Sequence, residues 1–333
     1  MNSTFALDYA RVFLLISCLL IAGKSDFSNF LVKNKHWIYF SPFAILLLIL
    51  DVIISKYSVW NLFMVFILIS IAASTVNILP NLREVKKINL TNYLIISCYI
   101  IGIIGLCGGI LNYTRIDYYS LVLGTENHDV MLWWTLLSAS LSMIFYILVW
   151  KLGLIQGGAD IKALIWTTLL IPSWAFIPQP YIYQTSFVDK EDIIIQLPPS
   201  FILFLWGSSV FIIMPPIYLV RNIMQKNIIS LSDLKIAWHA KKVILSEALG
   251  KNIWILSEVL TDDEGEYITT YNRFLPSNES ENKTIEEKID IFKEHNIEKI
   301  WVTTKHPFVT YLFIAIFPLI VIGDPIAIIL SFI

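Results

Sequence analysis

Charged residues are scarce in this chain: they make up 15% of its 333 residues, whereas 56% are hydrophobic. A soluble domain has about one quarter charged residues, so an ordinary soluble protein is excluded and most of the chain is expected to lie in lipid. The 24 lysines and arginines form no dense basic run of the kind that nucleic acid requires. Nucleic-acid binding is therefore set aside as a function class.

Cysteine is also scarce, with three residues in the whole sequence. Cys18, Cys98 and Cys107 fall inside apolar stretches and none belongs to a C-x-x-C pair. We interpret them as small core residues, not as metal ligands or disulfide partners. The five histidines are scattered without metal-ligand spacing. The sequence therefore predicts no metal site and no cofactor.

Long apolar stretches account for most of what is present. A membrane-spanning helix needs about 20 predominantly apolar residues, and eight stretches approach or exceed this length. They cover residues 5–22, 38–54, 59–79, 93–112, 131–150, 162–178, 200–220 and 307–331. The predicted fold class is a polytopic α-helical membrane protein with about eight transmembrane helices.

One long polar stretch interrupts this pattern before the last apolar one. Its composition predicts a small α/β domain at 221–306, between a transmembrane domain at 1–220 and a terminal transmembrane helix at 307–333. The predicted elements of this domain are a helix from Ser232 to Leu249, strands from Asn252 to Leu260 and from Glu266 to Phe274, a helix from Thr284 to Asn296 and a strand from Ile297 to Thr303.

Lysine and arginine are unevenly distributed among the predicted loops, and an excess of these residues marks the cytoplasmic side of a membrane protein. The first set of loops, at 23–37, 80–92, 150–161 and 221–306, carries most of them, and the alternate loops contain Lys56, Arg115 and Lys190. We therefore predict that both termini face outward and that the first set of loops, with the small domain, faces the cytoplasm of a multi-pass cell-membrane protein.

Two aspartates lie near span ends on that cytoplasmic side. Asp26 follows the first predicted span, and Asp160 precedes the sixth, directly after Gly157, Gly158 and Ala159. Two aspartates can hydrolyse a peptide bond when one takes a proton from water and the other donates a proton to the carbonyl oxygen. Repulsion between carboxylates about 4 Å apart, about 4 kcal/mol at a dielectric near 20, would hold one proton on such a pair. The glycines would let a substrate backbone approach closely.

Each of these residues also has an ordinary structural interpretation. Asp160 could cap the sixth helix, Asp26 could be a solvated loop charge, and Lys162 could neutralise Asp160 in an ion pair. Glu84 is another carboxylate on the same predicted side, farther from a span end. Asp324, near the end of the last span, is expected to have a helix-end or packing role.

The sequence around these aspartates resembles that of a known family. Residues 157–164, GGADIKAL, resemble the signature of the type IV prepilin and archaeal preflagellin peptidases, the GxGD membrane aspartyl proteases. Residues 24–37, with Val32, Asn34 and Trp37 after Asp26, resemble the segment around that family's first aspartate. Residues 300–308 and 323–324 are similar to the C-terminal region of its archaeal branch. Ala159 stands where the commonest motif has glycine, and the cytoplasmic cysteine pairs of the bacterial enzymes are absent from this sequence.

The resemblance implies an endopeptidase that removes short basic leader peptides from prepilin or preflagellin precursors at the cytoplasmic membrane face. Asp26 and Asp160 match the two catalytic positions, and Gly157, Gly158, Ala159 and Lys162 match the motif around the second. The implied partners are precursors whose hydrophobic amino-terminal helix stays in the membrane, together with membrane lipid. Two alternatives stay open: a proton-coupled membrane transporter and an inactive scaffold of a surface-appendage system.

Overall fold

A computed structural model of the chain describes residues 3–79, 90–115, 120–121, 126–155, 157–181, 197–248, 253–261, 267–273, 285–304 and 306–331. Two compact units are present, one made of Met1–Gly207 with Pro307–Ile333 and the other of Ser208–His306. We call the first the helical unit and the second the mixed unit.

In chain order, the helices and strands are α1 (Ser3–Asn29), α2 (Asn34–Ile54), α3 (Val59–Thr75), α4 (Leu90–Tyr113), α5 (His128–Lys151), α6 (Gly158–Leu170), α7 (Pro199–Met224), α8 (Leu231–Ile236), β1 (Lys241–Ile244), α9 (Leu245–Ala248), β2 (Ile253–Ile255), β3 (Ser257–Thr261), β4 (Tyr267–Asn272), α10 (Ile285–Glu294), β5 (Lys299–Thr304), α11 (Phe308–Val321) and α12 (Pro325–Ser331). A short 3-10 turn covers Trp174–Phe176. The predicted boundary at 221 falls inside α7, which begins in the helical unit and ends in the mixed unit.

Five helices in the described part of the chain are long and apolar enough to cross a membrane. These are the segment Phe5–Asn29 of α1, all of α2, the segment Asn92–Tyr113 of α4, and all of α5 and α7. Helices α3 and α11 are apolar but shorter. The prediction of an α-helical membrane protein is therefore confirmed at this level.

Several helix ends differ from the predicted spans. Helix α1 continues to Asn29, so Asp26 lies in its last turn and not beyond the end of the first span. Helix α6 begins at Gly158 and ends at Leu170, because Pro172 disfavours helical geometry at the residue before it. The last predicted span is two helices, separated near Gly323, which has a φ of +81°.

Helix α6 is the central helix of the helical unit. Ile161 and all residues from Ala163 to Leu170 are buried, and the helix contacts α1, α2, α3, α5 and α11. The hydroxyl groups of Thr167 and Thr168 donate to carbonyl oxygens one turn earlier in the same helix. A helix surrounded by protein can be apolar on every face, and the amino end of α6, which contains Asp160, is only partly buried.

In the mixed unit, β5 is the central strand of a three-stranded antiparallel sheet with the order β1-β5-β2. Strands β3 and β4 form a separate antiparallel pair. Ile289 and Phe292 of α10 belong to the same buried cluster as Val243, Ile300 and Val302 of the larger sheet. The predicted second helix and third strand are thus present, as α10 and β5.

The predicted helix from Ser232 to Leu249 is wrong. Helix α8 ends at Ile236, and residues 241–244 pair with β5 instead. The buried side-chain amide of Asn222 donates to the carbonyl oxygens of Ala237 and Ala240, at 3.0 and 2.8 Å. Carbonyl groups at a helix end need such partners, so a contact from α7 stabilises the break in a locally helical pattern.

The predicted strand from Asn252 to Leu260 is divided at Leu256. Its first part, β2, pairs with β5, and its second part, β3, pairs with β4. The predicted turn at 262–265, most of the loop at 80–92 with Glu84, and Lys190 lie outside the described residues.

Candidate active site

Asp26 is buried in the last turn of α1, with 6% of its surface exposed. Its Oδ2 atom accepts a hydrogen bond from the backbone amide of Val309, with an N–O distance of 2.9 Å. The amide of Thr310 also interacts favourably with this carboxylate. Both amides belong to the first turn of α11, where backbone N–H groups generally lack helical partners. The interpretation of Asp26 as a solvated loop charge is therefore wrong.

Helices α1 and α11 are joined by further contacts besides the hydrogen bond to Asp26. The hydroxyl group of Thr310 donates to the carbonyl oxygen of Gly23 at 2.9 Å. A Cβ atom placed on Gly23 would lie 3.2 Å from the Cα atom of Thr310. Because glycine at 23 allows the backbones to approach, the first turn of α11 is held next to Asp26.

Asp160 is partly buried in the first turn of α6. The cap position of this helix is occupied by Gly157, and no side chain caps it, so the interpretation of Asp160 as a helix cap is wrong. Within the described ranges, the Asp160 carboxylate has no hydrogen-bond or ion-pair partner. This carboxylate thus lacks the compensation that a buried charge normally has.

Asp26 and Asp160 interact electrostatically at one end of the bundle. Asp160 precedes the predicted sixth span, and its pKa is raised to about 7, first by burial and second by the negative charge of Asp26. Two like charges in one site oppose each other's ionisation. We call these two residues the aspartate pair, because the structure brings together the two carboxylates that the sequence singled out.

Lys162 lies two residues after Asp160 but does not neutralise it. Its Nζ atom donates to the side-chain oxygen of Asn34, the first residue of α2, at 2.8 Å. The same ammonium group lies 5.8 Å from the centre of the Trp150 ring. The predicted alternative of an Asp160–Lys162 ion pair is therefore wrong, and Asn34 has a structural role that the sequence did not indicate.

The small residues before Asp160 provide space for two side chains of the site. A Cβ atom on Gly157 would overlap the carboxylate of Asp160, and a Cβ atom on Gly158 would lie 3.1 Å from the ring of Trp150. Gly157 has a φ of −78°, which any residue can adopt, so space and not backbone conformation favours glycine there. Ala159 packs against the core of the helical unit. That these glycines also admit a substrate backbone stays a prediction.

Three other charged residues form a cluster near the opposite end of α1. Arg11 is fully buried; its Nη2 atom lies 2.7 Å from Oδ2 of Asp51, and its Nη1 atom lies 3.4 Å from Oδ1 of Asp8. Nη2 also donates to the carbonyl oxygen of Leu47, and the guanidinium carbon lies 4.9 Å from the centre of the Phe176 ring. We call Asp8, Arg11 and Asp51 the arginine cluster. Its carboxylates have a cation as a partner, whereas the aspartate pair has none among the described residues.

The remaining carboxylates of interest have structural partners. Oδ1 of Asp324 accepts from the amide of Ile326, which caps α12, and Oδ2 accepts from the amide of Leu197, both at 2.9 Å. The expected helix-end role of Asp324 is thus confirmed. Oδ1 of Asp129 accepts from the amide of Ser58 and from the side chain of Asn61.

The chemistry available to the aspartate pair is proton transfer. The carboxyl group of Asp26 has amide donors, whereas that of Asp160 is partly buried and has none among the described residues, so the two sites differ in their preference for a proton. A pair that holds one proton can act as general base and general acid in the same step. Among the described residues, no group of three His, Cys, Asp or Glu side chains could hold a metal ion.

Comparison with known proteins leaves the residues themselves as the basis for an assignment. No protein-family model matches this chain, and no curated protein matches it. The resemblance to the GxGD proteases therefore rests on the motifs around Asp26 and Asp160 and on the C-terminal residues 300–308 and 323–324.

Sequence reasoning missed the contribution of α11 to the site. The signal was present in Pro307, which is the first residue of the last predicted apolar stretch and directly precedes α11. Proline is common at helix starts, and the exposed amides of a helix start attract carboxylates. A proline followed by an apolar stretch could have predicted a helix start that binds a carboxylate, but not that this carboxylate would be Asp26.

Proposed function

We propose that this protein is a membrane aspartyl endopeptidase that cleaves short basic leader peptides from prepilin-type or preflagellin-type precursors. Asp26 and Asp160 are the catalytic residues, and the reaction is hydrolysis of one peptide bond between the leader and the hydrophobic helix that follows it. The observation that carries the proposal is that the charge of Asp26 acts on the carboxyl group of Asp160, although the two residues lie on different helices. Each lies in one of the two motifs that resemble the family.

The proposed arrangement in the membrane follows from the loop charges. All eight apolar stretches belong to the membrane part, both termini face outward, and the aspartate pair faces the cytoplasm together with the domain at 221–306. Lysine and arginine favour this orientation. Peptide hydrolysis requires water, whereas the retained helix of the precursor requires lipid, so an active site at the membrane boundary serves both.

The proposal is tested by direct cleavage. The purified full-length protein in lipid vesicles is mixed with a synthetic precursor that has a basic leader followed by an apolar helix, and the products are identified by mass spectrometry. We expect a single shortened product. Asp26→Asn and Asp160→Asn should each lower the rate by about 10²–10⁴-fold or more, because each removes one proton-transfer group.

A matched control uses a carboxylate of the mixed unit, outside the two motifs that contain the aspartate pair. Asp290 is exposed and contacts Lys293 on the same helix, so Asp290→Asn should retain full cleavage. Size-exclusion profiles of the variants must match that of the unmodified protein. Cleavage that persists in either aspartate-pair variant removes that residue from the site, and a precursor that stays intact with all proteins contradicts the proposed function.

A further inference from the structure

We propose that the first turn of α11 assigns different roles to the two aspartates: Asp26 is the ionised general base, and Asp160 carries the proton and is the general acid. This division of labour rests on the proposed function and deepens it. It also makes the amide of Val309 a positioning group of the active site.

Two backbone amides favour the ionised form of Asp26 and oppose the effect of its burial. A backbone N–H group can donate a hydrogen bond but cannot accept one, so the Val309 N–H group, with its nitrogen 2.9 Å from Oδ2, satisfies a carboxylate oxygen and not a protonated hydroxyl. Thr310 contributes a second favourable amide. Hydrogen bonds of this kind to a charged acceptor are stronger than those between neutral groups, and Asp26 keeps them within a buried site.

The surroundings of Asp160 favour the protonated form. No group in the described part of the molecule donates a hydrogen bond to this side chain, and the charge that acts on it is the negative charge of Asp26. The helices that pack against α6 bring other ionisable groups to this end, namely Lys24 on α1, Lys35 and His36 on α2, and Lys151 on α5. Lys162 on α6 itself is bound to Asn34. Of all these groups, Asp26 is the one whose charge acts on Asp160.

These environments define a balanced reaction. Water attacks the carbonyl carbon of the scissile bond while Asp26 accepts a proton from the water and Asp160 donates its proton to the carbonyl oxygen. The resulting gem-diol then collapses: Asp160 takes a proton back from one hydroxyl group, Asp26 donates its proton to the leaving nitrogen, and the carbon–nitrogen bond breaks. The products are an acid and an amine, and both aspartates return to their starting states.

The assignment is tested without catalysis by infrared titration of two full-length variants. In Asp160→Asn the remaining carboxyl group of the pair is Asp26, and in Asp26→Asn it is Asp160. Difference spectra against the double variant isolate the protonated carboxyl band of each. We expect Asp160 to lose its proton at least about one pH unit above Asp26. Burial, the main cause of the raised pKa of Asp160, persists in Asp26→Asn, whereas Asp26 keeps its amide donor in Asp160→Asn. Equal midpoints, or the reverse order, overturn the proposal.

A second test removes the donor itself. Val309→Pro eliminates the amide hydrogen in the first turn of α11, where proline is best tolerated within a helix, and Val309→Ala is the matched control that keeps it. We expect the acid limb of kcat/KM for precursor cleavage to move to higher pH in Val309→Pro, with a loss of about 10- to 100-fold in that range. An unchanged acid limb in a folded Val309→Pro protein overturns the role of Val309.

The two tests separate this inference from the proposed function. If the titration order is as expected but no precursor is cleaved, the peptidase assignment fails and the charge asymmetry stands. If cleavage depends on both aspartates but Asp26 titrates above Asp160, the peptidase assignment stands and the division of roles fails. The infrared measurement decides the inference even where Val309→Pro does not fold.

Discussion

The carboxylates near the two ends of α1 differ in how their charge is compensated. In the arginine cluster, the guanidinium group of Arg11 neutralises Asp51 at 2.7 Å and is close to Asp8. In the aspartate pair, Asp26 has backbone amides but no cation, and Asp160 has neither among the described residues. A compensated charge network is a common structural device, whereas a carboxylate perturbed by burial and by a second carboxylate, as Asp160 is, is typical of functional sites.

A cation is available close in sequence to the aspartate pair, although it does not neutralise either carboxylate. Lys162 is two residues from Asp160 in the same helix, and Asn34 and the Trp150 ring hold its ammonium group elsewhere. The comparison therefore teaches that proximity in sequence does not decide pairing. The partner of Lys162 is decided by the packing of α2 and α5, which supply Asn34 and Trp150.

The largest expected effect is at the arginine cluster. Arg11→Met leaves Asp51 buried without its cation, and breaking a buried ion pair from one side costs about 3–5 kcal/mol. We expect a loss of unfolding free energy of that size, measured by denaturation of the purified protein in detergent. Arg11→Met with Asp51→Asn should recover most of the loss. A double variant as unstable as the single one would show that the charge pair is not the cause.

The next effect tests the space before Asp160. Gly157→Ala places a Cβ atom where the Asp160 carboxylate lies, so we expect the cleavage rate to fall by about 10- to 100-fold through displacement of a catalytic group. The backbone at 157 accepts alanine, and stability should change by less than about 1 kcal/mol. In Gly158→Ala the added Cβ atom meets the ring of Trp150 and not Asp160, so this variant should lose less activity than Gly157→Ala. Equal losses in the two variants would contradict this reasoning.

A smaller effect concerns stability and pH. The pKa of Asp160 is about 7 in the folded protein and about 3.9 in an unfolded chain. Between these values the folded state binds the extra proton, so stability falls as the pH rises from about 4 to about 7. Asp160→Asn removes this loss, and we expect the variant to be more stable than the unmodified protein by about 1–3 kcal/mol at pH 8.

The same comparison at low pH is the internal control. Below about pH 4 the aspartate is protonated in both states, so the stability advantage of Asp160→Asn should disappear there. Denaturation curves at pH 4 and pH 8 provide both measurements. An advantage that is equal at the two pH values would point to packing and not to ionisation.

The smallest effect tests the restraint on Lys162. Asn34→Ala removes the acceptor at 2.8 Å, and the released ammonium group can then approach Asp160. An opposite charge favours the ionised carboxylate, so we expect the alkaline limb of cleavage to move down by about one pH unit. The double variant with Lys162→Gln has no cation to release and should restore the limb. A limb that moves equally in both variants would exclude Lys162 as the cause.

How far the sequence predicted the structure depended on the kind of contact involved. Five of the eight predicted apolar stretches correspond to described helices that are long and apolar enough to cross a membrane, because backbone groups in lipid must be satisfied within the chain segment itself. The helix predicted from Ser232 to Leu249 failed because Asn222, from another helix, binds the carbonyl groups at its break. Local sequence patterns predicted helices reliably in the apolar stretches, where lipid requires backbone hydrogen bonds within the segment. They failed where a side chain distant in sequence binds the backbone.

The candidate site shows the same division. Asp26 and Asp160 could be selected from loop charge and motif because both are unusual residues at helix ends. Their partners could not be selected, because the Val309 amide has no side-chain signature and lies 283 residues from Asp26. The pairing of Lys162 with Asn34 likewise joins α6 to α2 across 128 residues.

The sequence by itself determined that this is a helical membrane protein and which two carboxylates are candidates for its chemistry, since composition and local charge are properties of short segments. Tertiary structure alone decided that Asp26 receives amide donors from α11, that Asp160 receives none in the described part of the chain, and that Lys162 is held by Asn34. Those outcomes depend on which helix ends meet, and helices that are far apart in sequence are brought together by packing around α6.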